Sequence, residues 1–298
     1  MTMVSVIGAG KWGQALYGAI RDAGVDAVIS SRTKRDILGF VGLDIALKAS
    51  HIICTIPTQS AAFWLKQHYI DTGAKYLIAS KGIETANLRF LDEIYKDYIP
   101  DDRLAFLSGP TFAAEVSSRL PCAMVINSKN EQTAKEFAQF FPVYMRSYIS
   151  DDVRGAEVCG AYKNVIAIAS GICDGLGLGN NARASLIARG LVEMARFGKH
   201  FGARDETFLG LSGAGDLFLT ASSTLSRNYR VGLGLAKSKT LNEILKELGE
   251  VAEGVATAKA ITIIGSRHNI YTPIACAVVS ILEGEDAMTS AKRLISRD

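Results

Sequence analysis

Gly8-Ala9-Gly10-Lys11-Trp12-Gly13 constrains this chain more than any other feature, because it follows the apolar run Met3–Ile7 and opens a helical pattern. A strand, a glycine turn and a helix in that order begin a parallel crossover unit. The spacing is GxGxxG, and each glycine has a separate task. The first makes the tight turn, the second lets backbone approach a pyrophosphate, and the third lets helix and strand pack closely. The helix N-terminus that follows attracts the anion. Glycines also end strands for purely structural reasons, but the strand-to-helix setting favours a dinucleotide site over a plain turn.

Further apolar runs at Ala27–Ile29, Ile52–Ile56, Tyr76–Ala79, Leu104–Leu107, Cys122–Ile126 and Val143–Tyr148 extend the alternation, with amphipathic stretches such as Ser60–Tyr69 and Leu88–Tyr98 between them. Strands alternating with helices imply a mostly parallel sheet covered on both faces. Near Ser150 the character changes to helical spacing. Helices are predicted at Val153–Cys173, Arg183–Phe201, Leu225–Lys237, Leu241–Leu248, Val255–Arg267 and Ile274–Leu282, and Pro273 is the sole proline after Pro142. The fold class is therefore an α/β N-terminal Rossmann-like domain followed by an all-α C-terminal domain. The boundary falls at 149/150, giving a dinucleotide-binding domain over 1–149 and a helical substrate-binding and catalytic domain over 150–298. The length of 298 residues suits two domains at roughly 150 residues each.

Composition narrows the function classes. Hydrophobic residues at 48% exclude an intrinsically disordered chain. Lys plus Arg number 33 against 30 Asp plus Glu, a net charge of +3 that gives no support to nucleic acid as a partner. The five cysteines are dispersed, and His51, His68, His200 and His268 are scattered without zinc-ligand spacing, so no metal site is expected. The start MTMVSVIGAG lacks a basic segment and a cleavage site, and no run reaches the length of a membrane span. A cytoplasmic location is expected. The apolar stripes of the helical half suit a homodimer interface or a monomeric core equally.

The second strand ends Ser30-Ser31-Arg32-Thr33-Lys34-Arg35, with cations where NAD binders place an acid. Arg32 there suits a 2′-phosphate, so the cofactor is read as NADPH or NADH. Ser80-Lys81-Gly82 puts a cation at the carboxyl end of a strand, where ligand crevices open. Ser108-Gly109-Pro110-Thr111 follows another apolar run, and Pro110 suits the first turn of a helix whose N–H groups would face an anion. Lys163 and Asn164 interrupt an otherwise apolar helix. A buried lysine is a usable general acid or base, although long stems also snorkel to the surface. Gly213-Ala214-Gly215-Asp216 and Ser226-Arg227-Asn228 complete the set, the Arg offering a planar fork for phosphate.

Together these stretches resemble the NAD(P)-dependent glycerol-3-phosphate dehydrogenases of the bacterial type. The resemblance rests on GAGKWG (8–13), SKGIE (80–84), SGPTFAAEV (108–116), AYKNVIAIASGICDGLGLGNNARASLIARG (161–190), GLSGAGDLFLT (210–220), SRNYRVG (226–232) and VAEGV (251–255), in family order. It implies that Lys163 is the general acid/base, that Lys81 is its partner cation, and that Asn164, Asp216 and Thr220 line the reacting centre. It implies substrate contacts from Lys81, Gly109, Thr111, Lys163, Asp216, Ser226, Arg227 and Asn228, with Arg227 and Asn228 at the phosphate end. Cofactor contacts fall on Gly8, Gly10, Lys11, Trp12, Gly13, Arg32, Lys81, Ala113, Arg227, Val251 and Glu253. The implied reaction is reversible reduction of dihydroxyacetone phosphate to sn-glycerol 3-phosphate, supplying phospholipid synthesis. One departure is that the stretch from Thr33 to Ser50 is shorter than the family pattern by about one helix and loop.

The residues alone reach only a reductase of a small phosphorylated or carboxylated carbonyl compound. A related hydroxyacid or ketopantoate-type reductase shares the glycine turn and catalytic lysine, but Ser226-Arg227-Asn228 with two lysines favours a phosphate ester. A non-catalytic dinucleotide sensor predicts loss of Lys81, Lys163 or Asp216, and all three are present.

Overall fold

A computed structural model describes residues 3–249 and 252–295. The chain divides into two compact units. One runs to Lys81 and resumes over Leu91–Ala156, and the other takes Gly82–Phe90 and the chain from Glu157.

In the first unit the seven apolar runs become strands: β1 (Val4–Ile7), β2 (Ala27–Ser30), β3 (His51–Cys54), β4 (Lys75–Ile78), β5 (Leu104–Ser108), β6 (Cys122–Asn127) and β7 (Met145–Ser150). They form one sheet in the order β2-β1-β3-β4-β5-β6-β7. All pairings are parallel except β5 with β6. Side chains of β1, β3, β4 and β5 are buried on both faces, which explains why the strands read as continuous apolar runs rather than alternating ones. One face packs Val6, Ile53, Leu77 and Leu107 with α1 (Lys11–Asp22). The other packs Ile52, Tyr76, Ile78 and Phe106 with α3 (Thr58–His68) and α4 (Leu91–Lys96), while the short α2 (Leu43–Ala46) precedes β3. The register aligns Ile7, Ser30, Cys54 and Ile78 across four strands. The residues just beyond, Gly8, Ser31, Thr55 and Ala79, therefore share the carboxyl edge.

Two helical expectations shift. The amphipathic stretch from Leu88 to Tyr98 is helical only over Leu91–Lys96, because Gly82–Phe90 belongs to the other unit, with Ile83 and Phe90 in its core. The helix after Pro110 begins three residues later, as the single turn α5 (Ala113–Ser117) with Phe112 at its N-cap, so Pro110 lies outside it. α6 (Glu131–Ala138) completes this unit's helices. The shortened stretch after Arg32 folds back on the sheet edge, where Ile29 N donates to Gly39 O at 3.1 Å and Val41 N to Ile29 O at 2.9 Å.

The second unit is helical. α7 (Val153–Gly175) is buried around almost its whole circumference, as expected of a central helix. Around it run α8 (Gly179–His200), α9 (Asp205–Leu209), α10 (Asp216–Ala221), α11 (Arg227–Leu235), α12 (Leu241–Leu248), α13 (Glu253–Arg267), α14 (Pro273–Leu282) and α15 (Ala287–Ile295). α7 and α11 cross with backbones almost touching: a Cβ on Gly171 would stand 2.0 Å from Tyr229 O, and one on Gly232 2.0 Å from Ile168 O. Among the described residues no helix is long and apolar enough to cross a membrane.

Candidate active site

The glycine turn is shaped for an anion. Gly8 has φ +111°, in the left-handed region that favours glycine, and a Cβ there would meet Thr55 Oγ1 at 2.3 Å. A Cβ on Gly13 would sit 1.8 Å from Gly8 O, so this glycine sets the helix against the turn. Gly10 differs, since a Cβ there meets nothing within 4 Å. It is the open position of the turn, the N-cap of α1, with no side-chain cap and no acid in the first turn. The N-terminus of a twelve-residue helix with no side-chain cap and with room left at Gly10 suits a pyrophosphate. The turn lies at the point where strand order reverses around β1 and β3, which is where open parallel sheets bind ligands.

Thr55 was not anticipated from the sequence. Its hydroxyl lies 3.1 Å from Ile7 O and 3.0 Å from Gly8 O, tying the end of β3 to the turn. Trp12, a half-buried side chain, donates Nε1–H to Ala79 O at 3.1 Å and so fixes α1 to the end of β4. Lys11 and Arg32 are exposed, Arg32 two residues beyond β2. Ala113 packs against the core on the α1 face.

Lys81, just past β4, donates to Gly109 O at 3.2 Å, and Thr111 Oγ1 donates to the same carbonyl at 3.4 Å. Ser80 donates to Ile56 O, another link sequence reasoning missed although Ser80 stands inside a quoted motif. Lys81, Gly109 and Thr111 therefore form one cluster along the ends of β4 and β5.

In the helical unit Lys163 does not snorkel. It is 8% exposed, and Nζ donates to Asp216 Oδ1 at 2.6 Å and Thr220 Oγ1 at 3.0 Å. Asp216 is 1% exposed and Thr220 4%. A buried ammonium persists only when paired and hydrogen-bonded, and this one is. A π-helical turn over Leu211–Gly215 delivers Asp216 to it, with Gly215 N donating to Gly210 O at 3.1 Å. Such turns recur at functional sites because they re-aim the residue that follows. Thr220 also donates to Asp216 O at 2.6 Å, which holds the pair on one turn of α10.

Asn164, buried beside Lys163, donates to Gly160 O at 3.2 Å. Asn228 Oδ1 accepts from Gly254 N at 3.1 Å, anchoring the start of α13, where Glu253 is the first residue. Ser226 is the N-cap of α11 and accepts from Tyr229 N at 3.2 Å. Arg227 is exposed on the first turn of that helix. Val251, assigned to the cofactor by resemblance, lies outside the described residues.

Sequence reasoning also missed Glu193, 1% exposed on α8. It accepts from Ile274 N at 2.8 Å, Ala275 N at 3.0 Å and Tyr162 Oη at 3.0 Å. Burial pushes its carboxyl up from the ordinary value, and these donors pull it partway back. Burial also pushes the Tyr162 hydroxyl far up, with Glu193 adding to it. A lone acid beside Met194 in an apolar stripe was the available signal.

A chain with this sheet, glycine turn and buried lysine pair falls among two-domain nucleotide-linked oxidoreductases. Comparison with known proteins narrows the class. The family described as NAD-dependent glycerol-3-phosphate dehydrogenase matches through its N-terminus over residues 37–134 and its C-terminus over 152–293. A protein of Sulfurimonas denitrificans named glycerol-3-phosphate dehydrogenase [NAD(P)+] is 55% identical over 296 residues, 99% of this chain and 100% of the relative. One of Nitratiruptor is 57% identical over 295 residues, 99% of this chain and 98% of the relative. The crystal structure of glycerol-3-phosphate dehydrogenase from Coxiella burnetii superposes with a TM-score of 0.93 at 31% identity, covering 99% of each chain. The chain belongs to the NAD-dependent glycerol-3-phosphate dehydrogenase family and is an NAD(P)-dependent oxidoreductase by that membership.

Proposed function

We propose that the chain reduces dihydroxyacetone phosphate reversibly to sn-glycerol 3-phosphate in the cytoplasm, feeding phospholipid synthesis. Its relatives at 55% and 57% identity carry the corresponding enzyme name. The observation that carries the chemistry is Lys163, buried and held by Asp216 and Thr220. Gly8, Gly10 and Gly13 with the N-terminus of α1 hold the pyrophosphate, and Arg32 lies on the ribose side. When bound, the nicotinamide supplies the hydride. Lys163 holds the proton destined for the oxygen that gains negative charge. Asp216 keeps Nζ charged and aimed, and Thr220 fixes the direction of both. Arg227 presents the fork that suits a phosphate dianion, and Asn228 stands beside it on α11. Lys81 keeps a second cation at the carboxyl end of β4.

The test is a steady-state assay following NADH or NADPH oxidation with dihydroxyacetone phosphate, against unphosphorylated dihydroxyacetone. Turnover should require the phosphorylated compound, and Arg227→Ala should erase most of that preference. No turnover with either nucleotide overturns the proposal.

A further inference from the structure

His200 and His268 stand apart in sequence and meet in the helical unit. His200 is the last residue of α8 and His268 is the C-cap of α13. His200 Nε2 and His268 Nδ1 are 3.1 Å apart, with ring centroids 4.8 Å apart at 59°. The two are 68 positions apart, so spacing along the chain gave no sign that they meet. We infer that His200 and His268 form a chelating site for a borderline divalent transition cation, with zinc as its probe.

Geometry is the first reason. Two imidazole nitrogens bound tetrahedrally at 2.0–2.1 Å lie about 3.3 Å apart, close to the observed 3.1 Å. Electrostatics is the second. The pair closes the C-terminal ends of two long helices, where the partial negative charge of the backbone favours a cation. The nearby Lys199 is paired with Asp205 at 2.8 Å. Arg267, one residue before His268, carries a like charge that opposes the metal.

Preorganisation is the third reason. Phe201 meets His200 edge-on at 5.0 Å and His268 at 5.8 Å, and itself packs on Phe197 at 5.2 Å and Phe90 at 5.3 Å. Both histidines are exposed, so water can complete the coordination. Among the described residues no group of three or more His, Cys, Asp or Glu gathers, so this is a two-ligand site open to solvent. With both rings neutral, one N–H lies between the two nitrogens. Metal binding moves that proton to the remote nitrogen of the same ring, through solvent, freeing both lone pairs without net release. The bound ion would tie α8 to α13.

The experiment uses the full chain after chelator treatment, titrated with zinc chloride and followed by calorimetry and thermal unfolding. Wild type should bind one equivalent and unfold at a higher temperature with zinc. His200→Asn and His268→Asn should each weaken binding by about tenfold or more, since even outer-shell losses cost 10–100-fold, and should lose the thermal shift. Cys276→Ser controls for the exposed thiol and should bind as wild type does. Cu2+ on the unmutated protein should show spin-resonance coupling to two imidazole nitrogens, which keeps the test independent of how the variants fold. The inference fails if wild type binds no zinc, if either histidine variant keeps wild-type affinity, if Cys276→Ser abolishes binding, or if the copper spectrum lacks imidazole coupling.

Discussion

The glycine turn of the first unit and the lysine site of the second are made from opposite materials. At Gly8–Gly13 nearly everything is backbone: a left-handed glycine, a helix N-terminus and an open position at Gly10. At Lys163 nearly everything is side chain, with a buried ammonium, a carboxylate and a hydroxyl within 3.0 Å. The first works by having nothing in the way. The second works by placing charge where charge is expensive, and each residue there is held by the others. A substitution should therefore fail differently in the two places: by steric collision in one, by an uncompensated charge or a lost proton in the other.

The largest expected effect lies at the lysine. General acid–base catalysis contributes about 10²–10⁴-fold, and Lys163→Ala should lower kcat by that order in the assay with dihydroxyacetone phosphate. The same change takes the ammonium away from the buried Asp216 carboxylate, and breaking a buried ion pair costs about 3–5 kcal/mol in comparable cases. The double variant Lys163→Met with Asp216→Leu separates the two, because replacing both charges by apolar groups is often neutral for folding. It should unfold near the wild-type denaturant midpoint and still lack turnover. Near-wild-type rates in Lys163→Ala would remove the lysine from the chemistry.

The glycines should divide among themselves. Gly13→Ala puts a Cβ 1.8 Å from a carbonyl oxygen of Gly8, and overpacking of this kind costs about 1–3 kcal/mol. Gly10→Ala meets nothing within 4 Å, so its stability should stay within about 0.5 kcal/mol of wild type while the KM for NADH and NADPH rises. Urea unfolding and cofactor titration measure the two effects. If Gly10→Ala unfolds early and leaves KM alone, the open position is structural and not a place for pyrophosphate.

The same contrast explains what could be read from the sequence. The strands were legible because parallel strands buried on both faces give unbroken apolar runs, as β1, β3, β4 and β5 do, whereas the half-exposed β7 is only partly covered by the run Val143–Tyr148. The turn was legible because glycine is its own signal. The pairing of Lys163 with Asp216 could not be read from spacing, because the two lie 53 positions apart and a π turn at Leu211–Gly215 precedes Asp216, so only the resemblance put both at the reacting centre. Spacing on α7 left burial and snorkelling equally open, and the choice of Lys163 rested on resemblance. Thr55 stayed hidden for a related reason: a threonine after a strand is ordinary until its distance to Gly8 O is known. The stretch Leu88–Tyr98 misled because an amphipathic pattern does not say which unit it serves, and Leu88, Arg89 and Phe90 belong to the helical unit.

The smallest expected effect tests whether the side-chain logic extends one residue beyond the lysine. Glu193 holds Tyr162, the neighbour of Lys163 on α7, and caps the first N–H groups of α14. Burial raises its carboxyl above the ordinary 4.5, so the folded chain keeps the proton to higher pH than the unfolded chain does. Its contribution is then fully present below 4.5 and declines as pH rises through the folded-state value. The slope of that decline cannot exceed about 1.4 kcal/mol per pH unit. Glu193→Gln cannot titrate, so its unfolding free energy should lack this slope, while at fixed pH it loses about 1–3 kcal/mol for the mismatched donors it faces. Parallel pH profiles for the two proteins would mean that the Glu193 proton is not linked to folding. Tyr162→Phe removes one of the donors that hold the carboxyl down, so the slope should persist and reach to higher pH, because the burial that raises the carboxyl remains.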